Sequence, residues 1–336
     1  MTTLASHLST FLREYLPRDR AASTHTCETY AHSFMLLLRF AAENLSRKPS
    51  EIDLAQIDVR LVLEFLTHIE NKRGNTARTR NARLAAIKSF FRYLEYREPD
   101  CIEQARQIYG IPLKKTTEAL VAYLNREEIQ ALLDAPDAST AFGLRDRAML
   151  HVGYACGLRV AELVSLRLDE FDGRTPPSIR VMGKGRRERV LPLWKETTAA
   201  LNAWLKVRQA NGTPELFHNA GGRAMTRAGF EYILDKHAST ARKKQPSIMK
   251  KRITPHVLRH SCAMHILQAT GDVRKVSLWL GHASIQSTEI YLRADPTEKL
   301  DALAMGIPPT LKRGKFRAPD KLMAMFKQVR TTRVVM

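Results

Sequence analysis

Cysteine is scarce: Cys27, Cys101, Cys156 and Cys262 are scattered, with no CxxC pair among them. That excludes a disulfide framework and fits a reducing compartment. Long apolar runs are missing as well. Stretches such as "FMLLL" at 34–38 fall far short of the roughly 20 residues of a bilayer span. The start, "MTTLASHLSTFLREYLP", has neither a basic leader nor a continuous apolar core, so no secretory leader is expected. There is no internal repeat and no low-complexity tract. Acidic residues are the most telling shortage, with 34 Asp+Glu against 54 Lys+Arg, a net charge of +20 and a pI near 10.1. A 44% hydrophobic chain with that charge is a folded protein carrying a strong positive field. Nucleic acid is the partner that best suits it. The expectation is a soluble, cytoplasmic protein with no membrane partner.

At 336 residues the chain suggests about two domains of ~150 residues each. Residues 1–110 read as a helical bundle, from "HLSTFLREYL" to "TARTRNARLAAIKSFFRYLEY". In the last segment Leu84, Ile87, Phe91 and Leu94 recur at helical spacing. Arg78, Arg80, Arg83 and Lys88 occupy its other faces and are candidate DNA contacts, although such charges more often simply solvate a helix. Residues 111–122 read as a linker within the irregular "GIPLKKTTEALVAYLN", and a second domain is expected over 123–310. It shows one clear β signal, "SIRVMGKGRRERVLPL" at 178–193, a hairpin with Lys184 near its tip. A further short strand is expected at "LRLDEFD". The remainder is helical by pattern, giving a mainly α, two-domain fold with a small antiparallel sheet.

Several polar residues stand out. Arg159, among Leu158, Val160, Leu163 and Val164, is costly in an apolar helix pattern unless it has a partner or a ligand. Glu162 at i+3 supplies the first possibility and a phosphate the second. Thr254 reads as an N-cap with Pro255 at the first helical position, which puts His256 and Arg259 on one face. His256, His260, Cys262 and His265 are crowded enough to suggest zinc, but no HExxH glutamate is present and Arg259 would sit beside the ion, so no metal is assigned. The basic run "ARKKQPSIMKKR" at 241–252 offers Lys243, Lys244, Lys250, Lys251 and Arg252 as DNA contacts. Tyr291, in "EIYLRAD", has no sequon, cysteine pair or glycine-rich loop beside it to explain it.

Taken in order, "GLRVAEL", "GKGRRERVLPL", "TPHVLRHSCAMHIL", "LWLGHASIQST" and "EIYLRAD" resemble the tyrosine recombinases, the phage-integrase and Xer-like family. The resemblance runs from about residue 10 to about residue 300, and the first domain shares it in pattern only. It implies DNA strand exchange through a 3′-phosphotyrosyl intermediate and a Holliday junction, with no metal, ATP or other cofactor. Tyr291 would be the nucleophile, and Arg159 and Arg259 the phosphate clamp. Lys184 would be the general acid, His256 the proton acceptor, His282 a hydrogen-bond donor to the phosphate and Glu162 the support for Arg159. The chemistry fits these residue types, because metal-free phosphodiester cleavage needs a nucleophile, a proton donor and cations aimed at the non-bridging oxygens.

The resemblance also implies double-stranded recombination sites as partners and a homotetramer in the synaptic complex, with other recombinases as further partners. With about 110 residues before the linker, no arm-binding domain is expected. The basic tail at 311–336 is long, as in recombinases of mobile elements, and its stripe Leu322, Met325, Phe326 and Val329 is expected to dock on a neighbouring subunit. Two other functions remain open on sequence alone. One is strand relaxation of the type IB topoisomerase kind, and the other is an architectural role beside a second recombinase.

Overall fold

The computed structural model describes residues 3–116, 120–183, 187–209, 212–282 and 284–295. Lys184 and the 311–336 tail lie outside the described residues. The chain divides into two compact units, Met1–Ala119 and Leu120–Met336. No helix among the described residues is long and apolar enough to cross a membrane.

The first unit is helical throughout. Helix α1 (Leu4–Thr10) runs into a π-helical stretch, Phe11–Asp19, followed by α2 (Thr24–Leu45), α3 (Val59–Asn71), α4 (Ala77–Leu94) and α5 (Ile102–Gly110). Local chemistry sets the boundaries: the Asp58 carboxylate accepts from the Leu61 amide at 2.7 Å and so starts α3. Leu61, Val62, Phe65, Leu66 and Ile69 then form one buried stripe. Leu84, Ile87, Phe91 and Leu94 are all buried on α4, as their spacing predicts, and Phe90 joins Phe11, Phe34 and Tyr93 in an aromatic cluster.

The basic residues of α4 are less available than the sequence suggests. Arg80 is buried and donates to the Pro112 carbonyl at 3.0 Å. Arg83 donates to Ser33 Oγ at 2.9 Å and the Thr29 carbonyl at 3.3 Å. Lys88 donates to the carbonyls of Tyr109 and Ile111 at 2.8 and 2.7 Å. Carbonyls at the end of a helix lack intrahelical donors, and Lys88 satisfies those at the end of α5. Three of the four candidate contacts are therefore bonded within the bundle, while Arg78 is exposed.

In the second unit, α6 (Arg126–Leu133), α7 (Ala141–Ala155) and α8 (Val160–Val164) precede a three-stranded antiparallel sheet. Its strands are β1 (Phe171–Asp172), β2 (Ser178–Met182) and β3 (Glu188–Pro192). Then follow α9 (Lys195–Val207), α10 (Arg227–Lys244), α11 (Pro255–Thr270), α12 (Val273–Leu280) and α13 (Glu289–Ala294). Helix α7 is buried nearly all round and packs against α9 and α11, forming the centre of this unit. The register Ile179↔Leu191 and Val181↔Arg189 puts Ile179, Val181 and Leu191 on the covered face.

The short strand expected at "LRLDEFD" is present as Phe171–Asp172, after a 3₁₀ turn at Leu168–Glu170. Two expectations need correction here. Arg159 is not inside a helix but at the N-cap of α8, where the Glu162 carboxylate accepts its backbone amide at 2.9 Å. Lys251 is bonded internally, to Glu128 Oε2 at 2.6 Å and the Tyr123 carbonyl at 2.9 Å. Glu128 is 1% exposed, and a carboxylate so buried needs a cation. Lys243, Lys244, Lys250 and Arg252 are exposed.

Candidate active site

The site is assembled from the start of α8, the sheet, α11, α12 and α13. Its centre is the Glu162 carboxylate, with 7% of its side chain exposed. Glu162 Oε1 accepts from Arg159 Nη1 at 2.8 Å and Arg189 Nη1 at 3.3 Å, and Oε2 accepts from Arg189 Nη2 at 2.8 Å. Burial works against the negative charge of Glu162. The hydrogen bonds from Arg189 and from the Arg159 amide outweigh it and hold its carboxyl below the usual range. Gly183, at the end of the hairpin, closes against the same group, since a Cβ there would stand 3.1 Å from Arg189 Nη1.

Arg259, 4% exposed, is fixed by two carbonyls: Nη1 donates to Gly157 and Nη2 to Leu280 at 2.9 Å. Both carbonyls lie beside glycines in the left-handed region or belong to one, with Gly157 at φ +55 and Gly281 at φ +63. A Cβ on Gly157 would meet Leu280 at 2.6 Å, and one on Gly281 would meet Arg189 at 3.0 Å. Burial and the neighbouring Arg159 push the Arg259 guanidinium down to about 10, so it stays charged at neutral pH.

Tyr291 is 1% exposed, in a small core with Ala263, Met264, Leu267, Val276 and Leu280. Its hydroxyl lies 3.0 Å from His260 Nδ1. Burial pushes the phenol up to about 12, although Arg259 opposes the shift. His282 lies face to face with the Tyr291 ring, centroids 6.5 Å apart, and its Nδ1 is 2.8 Å from Thr288 Oγ1. Burial and the cations of Arg259, Arg159 and Arg189 lower His282 to about 4, leaving it neutral at pH 7. No group of three or more His, Cys, Asp or Glu side chains among the described residues is arranged to hold a metal ion.

Of the positions read from sequence, Arg159, Glu162, Arg259, His282 and Tyr291 converge. His256 is exposed, its ring 6.3 Å from that of His260. Three residues were missed: Arg189, His260 and Thr288. Period-two alternation in β3 could have found Arg189, which shares the inward face with Leu191. His260 was visible only as one member of the rejected zinc cluster. Nothing in the sequence marks Thr288.

The arrangement defines a class: a phenol set among guanidinium groups and imidazoles, on a helical domain with a small sheet. The phage integrase family matches residues 122–298 and the phage integrase N-terminal SAM-like domain matches residues 8–98. Integrase/recombinase y4rC of Sinorhizobium fredii is 42% identical over 327 residues, 97% of this chain and 98% of that one. Tyrosine recombinase XerC of Pelotomaculum thermopropionicum is 36% identical over 294 residues, 85% of this chain and 92% of that one. The solved pre-cleavage complex of the XerH site-specific recombinase bound to its difH substrate superposes with a TM-score of 0.66 at 26% identity, covering 88% of this chain and 84% of that one. The chain belongs to the phage integrase family of tyrosine recombinases.

The depressed carboxyl of Glu162 gives a signed expectation. A group whose folded pKa lies below its unfolded value, about 4.3 for glutamate, stabilises fully above that value and loses the contribution as pH falls through the folded one. Glu162→Gln should therefore cost on the order of 2 kcal/mol at pH 7, less than a fully buried pair because Arg159 is about a third exposed. The gap between variant and wild type in urea denaturation should close as pH is lowered below 4.

Proposed function

We propose that this protein is a site-specific DNA recombinase that cleaves and rejoins strands through a 3′-phosphotyrosyl link. The observation that carries the reading is the Tyr291 phenol, buried beside Arg259 and stacked on His282. Tyr291 attacks the scissile phosphorus while Arg159 and Arg259 hold the non-bridging oxygens, a planar fork of donors matched to phosphate. Guanidinium charge close to the developing negative charge does what a metal ion would otherwise do. His282 donates a hydrogen bond to the phosphate, and Lys184, carried by the β2–β3 hairpin, protonates the leaving 5′-oxygen. Glu162 orients Arg159. The covalent link conserves the bond energy, so rejoining needs no ATP.

The substrate is double-stranded DNA. Contacts come from Arg78 in the first unit and from Lys243, Lys244, Lys250 and Arg252 in the second. Strand exchange proceeds through a Holliday junction in a homotetramer on two sites. The terminal stripe at 322–329 docks on a neighbouring subunit and couples the tyrosines to one another.

With singly nicked duplexes, wild type should form a covalent protein–DNA adduct without added metal, and Tyr291→Phe should form none. An adduct in the phenylalanine variant, or a requirement for Mg²⁺, would refute the assignment. Relaxed circles without exchange between two sites would point to a topoisomerase instead.

Binding should weaken with salt by about 0.9 log units per log unit for each phosphate neutralised. Replacing Lys243, Lys244, Lys250 and Arg252 with Gln should reduce that slope, measured by titration between about 50 and 200 mM salt. An unchanged slope removes this face from the interface. Deleting 315–336 should spare binding to one site and abolish assembly on two, read by gel shift.

A further inference from the structure

We propose that His260, rather than the exposed His256, takes the phenolic proton of Tyr291. The inference rests on Tyr291 being the nucleophile and assigns the partner of its hydroxyl. Among the described residues His260 Nδ1 is the hydrogen-bond partner of Tyr291 Oη, at 3.0 Å. That is within the reach a general base needs. The two rings meet edge to face, with centroids 5.7 Å apart. His260 is also the residue after Arg259 on α11, so the base and one arm of the phosphate clamp are carried by the same helical turn.

The His260 ring is uncharged and so has a lone pair with which to accept. Burial, together with repulsion from His256 and Arg259, lowers His260 to about 4. At neutral pH the ring is uncharged, and the hydrogen bond then requires a lone pair on Nδ1 with the ring proton on Nε2. The phenol, pushed up to about 12, does not ionise beforehand. Proton transfer is concerted with attack, because the phenolic oxygen becomes acidic only as its lone pair is committed to phosphorus.

The Oη–P bond forms while the Oη proton passes to His260 Nδ1. The P–O5′ bond breaks, and O5′ leaves as a hydroxyl with a proton from a separate acid, for which Lys184 is proposed. On rejoining, the 5′-hydroxyl attacks phosphorus and returns its proton to the group that had protonated O5′, while Tyr291 Oη departs, taking its proton back from His260. His256 lies one turn earlier on α11 and is exposed.

The test uses the full-length protein and a nicked duplex selected from a randomised pool by covalent attachment to wild type. Single-turnover cleavage at saturating protein reads the chemistry apart from binding. His260→Ala and His260→Asn should each slow adduct formation by about 10²–10⁴-fold. Asparagine is the decisive variant, since its Oδ1 can accept the same hydrogen bond but cannot take the proton. A duplex with sulfur in place of the bridging 5′-oxygen needs no proton on its leaving group. It should restore Lys184→Ala and leave the His260 variants slow. Ring-fluorinated tyrosine at 291, a more acidic phenol, should recover part of the loss in His260→Asn.

Near-wild-type cleavage by His260→Asn would reduce His260 to a positioning residue. Rescue of the His260 variants by the sulfur duplex would place the residue on the leaving-group side. A sulfur-insensitive loss in His256→Ala with none in His260→Ala would return the role to His256. Each of these overturns the proposal. Failure of wild type to form any adduct would instead overturn the nucleophile assignment on which it rests.

Discussion

The Glu162 carboxylate is the group on which the site depends. One buried anion binds two guanidinium groups and the backbone amide that opens α8. It therefore joins a helix start to the β2–β3 hairpin by charge-assisted hydrogen bonds. Removing one partner of such a set leaves an uncompensated charge in a low dielectric, which is far more costly than the pair is favourable. The geometry of Arg159 and the position of the hairpin are thus set by a single side chain.

Crowding guanidinium groups together is itself unfavourable, and the fold offsets that cost in two ways. Arg189 is neutralised by Glu162, while Arg259 is stabilised by carbonyl dipoles from Gly157 and Leu280. Those carbonyls can approach only because Gly157 and Gly281 adopt positive φ and lack a Cβ that would strike Leu280 or Arg189. The glycines in "CGLRV" and "LGHAS" are therefore part of the electrostatics as much as of the backbone. Desolvation acts on the remaining groups in one direction: it keeps His260 and His282 neutral and Tyr291 protonated. The resting site thus combines fixed positive charge with neutral imidazoles and a protonated phenol.

Much of the fold was legible in local pattern. Helical spacing marked the buried stripe of α4, Thr254 and Pro255 marked the start of α11, and alternating residues marked the hairpin. These signals are short-range, as capping and periodicity depend on neighbours within a few residues. Where the expectation failed, a long-range partner had intervened. Arg80, Arg83, Lys88 and Lys251 look like surface cations in sequence, but carbonyls or a carboxylate 21 to 128 residues away claim them. Arg159 read as a residue within a helix because its apolar neighbours continue on both sides, whereas its amide is capped by Glu162.

The sequence by itself determined the two-domain, mainly helical organisation, the excess of positive charge and the order of the Arg159, Arg259, His282 and Tyr291 motifs. Those are properties of composition and of spacing along the chain. The tertiary structure decided which histidine reaches the tyrosine, which arginine shares Glu162, and which basic residues stay exposed. His260 and Tyr291 are 31 residues apart, and Arg189 and Glu162 are 27 apart. Hydrogen bonding falls away within a few tenths of an ångström, so such pairings are fixed only when α11 packs on α13 and the sheet closes over the start of α8.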